Sequence, residues 1–379
     1  MKEAVLTHAR LVLRDEVVPG TILLRGDRIA DVQPGRSHLS SAEDLEGDHL
    51  IPGVVDLHTD NLERQVLPRS NARWPSRSAM LAHDAQCAAA GVTTVLDALC
   101  LGDLGFDPGR GQTFREGLHD LTELAPAGLF KSEHFLHLRC ELPAPDLMPA
   151  LALAEGNPLV RMVSLMDHSP GVGQYRDVER YKEMRMRQKG LRVADVETRI
   201  SELLEQRARL RGPQRQAVLA RYAPLGIPLA SHDDENAAQV AENARDGILI
   251  SEFPVTMEAA AAAGPLGVQV IAGAPNIVRG GSHSGNVAVT DLVRARAVDA
   301  LASDYVPAAL VEAAWRSVVA GEVTLPQAVA MVTDTPARMV RLHDRGRIEA
   351  GLRADLARVG ALGGLPFVRQ VWRGGERVA

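Results

Sequence analysis

Leu50-Ile51-Pro52-Gly53-Val54-Val55-Asp56-Leu57-His58-Thr59-Asp60 is a short apolar, β-branched run that ends in polar side chains. Such a run reads as a buried strand, and side chains two apart on a strand point the same way. Asp56, His58 and Asp60 are therefore expected on one face, with His58 and Asp60 nearest the C-terminal end. An imidazole beside a carboxylate at that end can hold a divalent metal ion. The pattern recurs, because later strand-like runs end in Met166-Asp167-His168, Ser231-His232-Asp233-Asp234, Ser251-Glu252-Phe253 and Ser303-Asp304-Tyr305.

Outward from this stretch, the middle of the chain alternates strand-like and helical segments. Strands are expected at 54–58, 93–99, 135–142, 162–168, 228–232, 249–253, 268–272 and 300–304. Eight strands with intervening helices predict a parallel sheet closed into a (β/α)8 TIM-like barrel. The ends are β-rich: 4–13, 20–25 and 28–33 precede the barrel, and 346–349, 354–359 and 368–372 follow it. Residues 1–52 and 345–379 are accordingly expected to pair as a small β-sandwich domain around a catalytic barrel at 53–344. A charged insertion at about 171–226 has helical period, as in 196–210, and reads as a solvated helical hairpin, a lid or an oligomer contact.

The chain has 379 residues, 46% apolar and 24% charged, with a net charge of −6. This gives no electrostatic case for binding nucleic acid. Cys87, Cys100 and Cys140 are scattered and odd in number, which suggests a reducing compartment and no zinc ribbon. With no N-terminal apolar segment and no apolar run of about 18 residues, no membrane association is expected. The protein is expected to be cytoplasmic, and a homo-oligomer is possible.

Barrels of this type carry their chemistry at the C-terminal ends of the strands. Imidazoles and carboxylates at five or six such ends are hard to explain by packing, since charged groups almost never bury without partners or a metal. The third strand places His137, Arg139 and Glu141 on one parity and Leu136, Leu138, Cys140 and Leu142 on the other. After the seventh strand runs Val278-Arg279-Gly280-Gly281-Ser282-His283-Ser284-Gly285-Asn286. Its glycines allow backbone N–H groups near an anion, its serines add donors, and Arg279 can grip phosphate oxygens bidentately. Arg64, Arg69 and Arg73 lie just past the first strand and could add charge for a polyphosphate.

The first-strand Asp-x-His-x-Asp, the later-strand histidines and the eighth-strand Asp304 resemble the metal-dependent amidohydrolase superfamily. The tail 346–356 resembles that superfamily's return into its β-sandwich. More narrowly, 57–63, 137–142, 164–171, 230–234, 273–286 and 303–305 resemble one family. This is the PhnM family of triphosphate diphosphatases in the carbon–phosphorus lyase pathway. The resemblance implies hydrolysis of α-D-ribose 1-methylphosphonate 5-triphosphate to the 5-phosphate and pyrophosphate. His58, Asp60, His168, His232 and Asp304 are the expected metal ligands, with Glu141 bridging two ions. Asp304 is also expected to take the proton of the attacking water. Lys131 precedes the third strand, so a lysine bridge is not expected. Two ions, zinc or else manganese or iron, suit this donor set. Arg279, Gly280, Gly281, Ser282, His283, Asn286, His137, Arg139 and Arg69 are expected to contact substrate. A hydrolase of cyclic amides, imines or amidines and a non-catalytic scaffold on the same barrel are the alternatives.

Overall fold

The computed structural model describes residues 3–69, 72–105, 109–189, 192–282 and 285–379. Five strands come first: β1 (Glu3–Val12), β2 (Val17–Arg25), β3 (Arg28–Pro34), β4 (Glu43–Asp44) and β5 (His49–Pro52). The barrel strands follow as β6 (Val54–Thr59), β7 (Val92–Leu101), β8 (Glu133–Glu141) and β9 (Val160–Met166). They continue with β10 (Leu229–His232), β11 (Ile250–Glu252), β12 (Gln269–Gly273) and β13 (Ala300–Ala302). The chain ends in β14 (Leu356–Leu362), β15 (Leu365–Arg373) and β16 (Glu376–Arg377).

The first and last groups form one sheet in the order β16-β15-β14-β5-β1-β2-β3, with β4 beside β1. Both termini therefore share one apolar core, in which Leu6, Leu11, Ile22 and Ile29 meet Leu356 and Trp372. Gly53 is the hinge residue between this sheet and the barrel. A Cβ there would lie 2.2 Å from Thr93 Oγ1, so only glycine lets the chain pass from β5 into β6. The expected strand at 346–349 does not form. Gly346 takes φ +89 against the backbone of Thr333 and Asp334, and only Ile348 of that segment reaches the terminal core.

The barrel strands run in parallel from β6 to β13 in sequence order. A bridge between Thr59 and Asp304 brings β13 back to β6. Val55, Leu57, Leu96, Phe135, Met162, Ala230 and Ile271 fill the interior. The opposite parity of β8, Leu136, Leu138 and Cys140, packs outward on the helices with Phe114, Leu121 and Leu151. Period-two alternation in β8 thus separates an outward apolar face from an inward polar one, as its sequence predicts.

Side-chain caps fix where the helices after β10 and β11 begin. Asn236 Oδ1 accepts from Gln239 N at 3.0 Å, and Thr256 Oγ1 accepts from Ala259 N at 3.1 Å. The insertion is helical, with a short 3₁₀ turn at Gly173–Tyr175 followed by helices Val178–Lys189 and Val193–Tyr222. No helix among the described residues is long and apolar enough to cross a membrane.

Candidate active site

The C-terminal mouth of the barrel holds a cavity of about 290 Å³, lined by His58, Asp60, Arg139, His232, Asp304 and the loop after β12. Three residues just past their strands, Asp233, Phe253 and Asp304, have φ of +58, +54 and +56. Side chains other than glycine rarely adopt that left-handed conformation, and such strain gathers where a side chain must be aimed. Asp304 is also clamped to β6, since Asp60 N donates to Asp304 O and Asp304 N donates to His58 O at 3.0 Å. Asp56, fully buried, accepts from Ser303 N at 3.1 Å and His58 N at 3.3 Å. It therefore pins the β6 and β13 ends together instead of joining the mouth.

Two histidines are each backed by a buried carboxylate. His58 Nδ1 donates to Glu252 Oε1 at 2.7 Å, and His168 Nδ1 donates to Glu141 Oε2 at 2.6 Å. A carboxylate in that position fixes the ring's tautomer and orientation, leaving Nε2 as the free donor atom. His58 Nε2 then lies 3.5 Å from Asp60 Oδ1, and His168 Nε2 lies 3.8 Å from Asp233 Oδ2. Donor atoms of His58, Asp60 and Asp304 come within 4.8 Å of one another. Those of His168, His232 and Asp233 do the same, and His58, His232 and Glu252 link the two sets.

The residues fit a divalent metal. His168 Nε2, both ring nitrogens of His232 and Glu252 Oε2 are buried polar atoms without a hydrogen-bond partner. Native proteins seldom leave such atoms unpaired, and imidazole nitrogens with carboxylate oxygens form a transition-metal donor set.

Without an ion these groups hold one another's charge, and a metal ion bound there would displace the second proton of His58. Burial and neighbouring Asp60 push the Asp304 carboxyl up to about 6. Burial alone would depress His58, but Glu252 more than offsets it and raises the imidazole to about 10. Burial likewise opposes ionisation of Glu252, yet the His58 imidazolium beside it holds it down at about 2. Each imidazole–carboxylate pair keeps its partner's charge in a dry site.

Most, but not all, of the residues expected from sequence converge here. His58, Asp60, His232, Asp304, Arg139, Arg279, Gly281, Ser282 and Asn286 line the cavity, and His168 faces His232. Glu141, the expected bridge, stands behind His168 with both oxygens accepting from it, Oε1 from the backbone N at 2.8 Å. His137 lies below the mouth, fully buried, with Nδ1 against Leu57 O at 3.1 Å and Nε2 against Ser164 Oγ at 2.9 Å. With both nitrogens hydrogen-bonded and burial pushing its pKa down to about 3, it is neutral and does not line the cavity. Arg69 is exposed and does not line the cavity, and Gly280 turns the loop at φ +79 without lining it. His283 falls outside the described residues. Arg139 ion-pairs with Asp60 Oδ1 at 2.6 Å, so it steadies an acidic residue as well as lining the cavity.

Asp233 and Glu252, which the sequence did not single out as ligands, also belong to these donor groups. Both follow a histidine or serine at a strand end, which was the available signal. Away from the mouth, His83 forms another buried His/Asp cluster with Asp97 and His134. There His83 Nε2 and His134 Nδ1 meet the two Asp97 oxygens at 2.7 and 2.8 Å. The remaining ring nitrogens meet Asn61 Nδ2 at 3.0 Å and Asp84 Oδ1 at 3.2 Å. Every nitrogen is spent internally, so this cluster is a structural network.

No family model matches the chain. A curated relative from Escherichia coli (strain K12), named alpha-D-ribose 1-methylphosphonate 5-triphosphate diphosphatase, is 42% identical over 376 residues. The match covers 99% of this chain and 100% of the relative. The chain belongs to that diphosphatase family. Among solved structures, N-acetyl-D-glucosamine-6-phosphate deacetylase from Mycobacterium smegmatis superposes with a TM-score of 0.67 at 17% identity, covering all of both chains. Dihydropyrimidinase from Brevibacillus agri gives 0.63 at 11% identity, covering 99% of this chain and 95% of that one. These likenesses show the fold alone: an eight-stranded parallel barrel joined to a sheet built from both termini, shared with those two hydrolases.

Proposed function

We propose that this chain hydrolyses α-D-ribose 1-methylphosphonate 5-triphosphate to the 5-phosphate and pyrophosphate. The observation that carries the reading is the full-length 42% identity to the diphosphatase, on a chain whose strand ends bring the polar side chains of that chemistry together. His58, Asp60 and Asp304 would hold one divalent ion, and His168, His232 and Asp233 a second, with Glu141 and Glu252 orienting the imidazoles. Zinc suits this mixture of nitrogen and oxygen donors, though manganese or iron would also fit. Ions bound there would acidify water toward neutrality and neutralise charge on the attacked phosphoryl group.

The chain's own residues account for the rest. A water oxygen attacks the α-phosphorus, the bond from that phosphorus to the bridging oxygen of the β-phosphate breaks, and pyrophosphate leaves. Asp304, poised near 6 and clamped at the mouth, takes the water's proton. Arg279, the backbone of Gly281, Ser282 and Asn286 hold the departing phosphates from the loop after β12. Arg139 keeps Asp60 ionised and in place.

The reading is tested by incubating metal-loaded protein with ribose 5-triphosphate compounds and measuring pyrophosphate. Pyrophosphate in step with ribose 5-phosphate supports it. Ring opening or ammonia from cyclic amides or amidines, with no pyrophosphate, would refute it. Absence of any tightly bound transition metal in freshly purified protein would also count against it. The same preparation suits a compartment test by fractionation, where recovery with cytoplasmic enzymes is expected.

A further inference from the structure

The insertion after β9 reaches the same cavity through Gln174. Its first turn is tied to the mouth, because Gly173 N donates to Glu235 Oε1 at 2.8 Å and Gln174 N to Asp233 Oδ2 at 3.4 Å. Gly173 has φ +56, and a Cβ there would lie 2.8 Å from Asp233 Cβ, so the turn sits directly on that acidic residue. Gln174 lines the cavity. Tyr175 places its ring edge-on to His168, 6.0 Å between centroids, and stacks edge-on with Tyr181 in the helix that follows. Arg176 Nη1 donates to Val255 O at 3.5 Å, a second tie to the barrel. From these anchors the helix Val178–Lys189 runs towards the loop after β12. A Cβ at Gly285 would lie 2.7 Å from Arg180 Nη1, so glycine there leaves room for that guanidinium.

We infer that the insertion is a working wall of the active site, with Arg180 reading the terminal phosphates of the 5′ polyphosphate tail. Arg279, Gly281, Ser282 and Asn286 line the cavity, and Arg180 approaches the same loop at Gly285. A leaving pyrophosphate carries several negative charges at its far end, and one guanidinium cannot pair with all its oxygens. Two guanidiniums facing one glycine-rich loop match a tail of more than one phosphate and exceed what a single phosphate needs. The insertion would thus set the preference for a triphosphate over shorter 5′ phosphates. This rests on the proposed diphosphatase reaction.

The test uses the metal-loaded full chain with Arg180→Ala, Arg180→Lys and the control Arg187→Ala. Arg187 is on the same helix with the same charge, is exposed and pairs with Glu183. Binding of inorganic pyrophosphate and of orthophosphate is measured by calorimetry, and KM for the ribose 5-triphosphate substrate is measured beside it. Loss of one charge-assisted contact at an exposed rim predicts about a tenfold weaker pyrophosphate affinity and a similar rise in KM for Arg180→Ala. Orthophosphate binding and kcat should hardly change, Arg180→Lys should recover part of the loss, and Arg187→Ala should behave as wild type. Equal losses in Arg180→Ala and Arg187→Ala, equal losses for both anions, or no loss at all would overturn the assignment. Failure of the diphosphatase reading would appear separately, as wild-type protein that forms no pyrophosphate, and the binding arm would still decide the role of Arg180.

Discussion

Glu252→Gln asks whether a buried carboxylate behind His58 tunes a metal ligand. Glu252 is fully buried, accepts from His58 Nδ1 at 2.7 Å, and has Oε2 3.8 Å from His232 Nε2 and 3.9 Å from His137 Nε2. Glutamine keeps the shape, and its amide oxygen can still accept the His58 proton. Only the negative charge goes, and with it the main influence that offsets burial at His58. A ring without that charge behind it is a weaker donor. Loss of an outer carboxylate of this kind costs about 10–100-fold in metal affinity, or about 1.4–2.8 kcal/mol. The assay is competition with a chelator, with metal content read by mass spectrometry and thermal unfolding followed in parallel. Glu141→Gln is the companion on the His168 side, where both carboxylate oxygens are occupied by that residue. If the two carboxylates serve two ions, the two losses should add in the double variant within about 0.3–0.5 kcal/mol. Wild-type affinity in Glu252→Gln, with normal unfolding, would refute the orienting role. Strong non-additivity would refute two separate sites.

Asp304→Asn should lower kcat by about 10²–10⁴-fold while the unfolding midpoint stays near wild type, and a collapse of the midpoint would make Asp304 structural instead. His134→Phe should destabilise the fold by about 3–5 kcal/mol in denaturant unfolding, because it leaves the buried Asp97 and Asp84 carboxylates short of a partner. The pH dependence of that network has a definite sign. His134 is raised from 6.5 to about 9, since Asp97 and Asp84 more than offset burial, so its contribution is complete below about 6.5 and lost as pH rises through about 9. Asp97 is held well below 3.8, since His134 and His83 more than offset burial, so its contribution is present above 3.8 and lost only in strong acid. Wild type should therefore lose stability between about pH 6.5 and 9, and His134→Phe should lose less over the same interval. Gly173→Ala should cost about 1–2 kcal/mol for its left-handed backbone, and should also weaken pyrophosphate binding by displacing the insertion from Asp233. Normal binding in that variant would show that the turn does not hold the wall in place.

Much of the barrel was legible because its physical causes are local. Short β-branched runs, helical spacers and polar strand ends are properties of neighbouring residues, and all eight barrel strands form where the alternation placed them. In β8 a strict period of two told the polar inward face from the apolar outward one without any tertiary information. The loop after β12 announced itself by glycine, serine and arginine content. What local pattern could not supply is which nitrogen meets which oxygen. His137 and His168 look alike in sequence, yet one spends both nitrogens on Leu57 O and Ser164 Oγ while the other keeps Nε2 for the mouth. Glu141 and Glu252 are each set by a histidine far away in the chain, at separations of 27 and 194 residues.

The sequence by itself determined the barrel strands, the β-rich character of the two ends and the set of residue types at the mouth, because burial patterns and turn chemistry act over a few residues. Only the tertiary structure decided the roles within that set. It set Glu141 against His168, brought Asp233 and Glu252 against the histidines, and left His137 and Arg69 off the cavity lining. It also carried the insertion from an unplaced helical pair to the rim of the cavity. The reason is that ligand and support roles depend on distances of 2.6–3.8 Å between strands that meet only when the barrel closes.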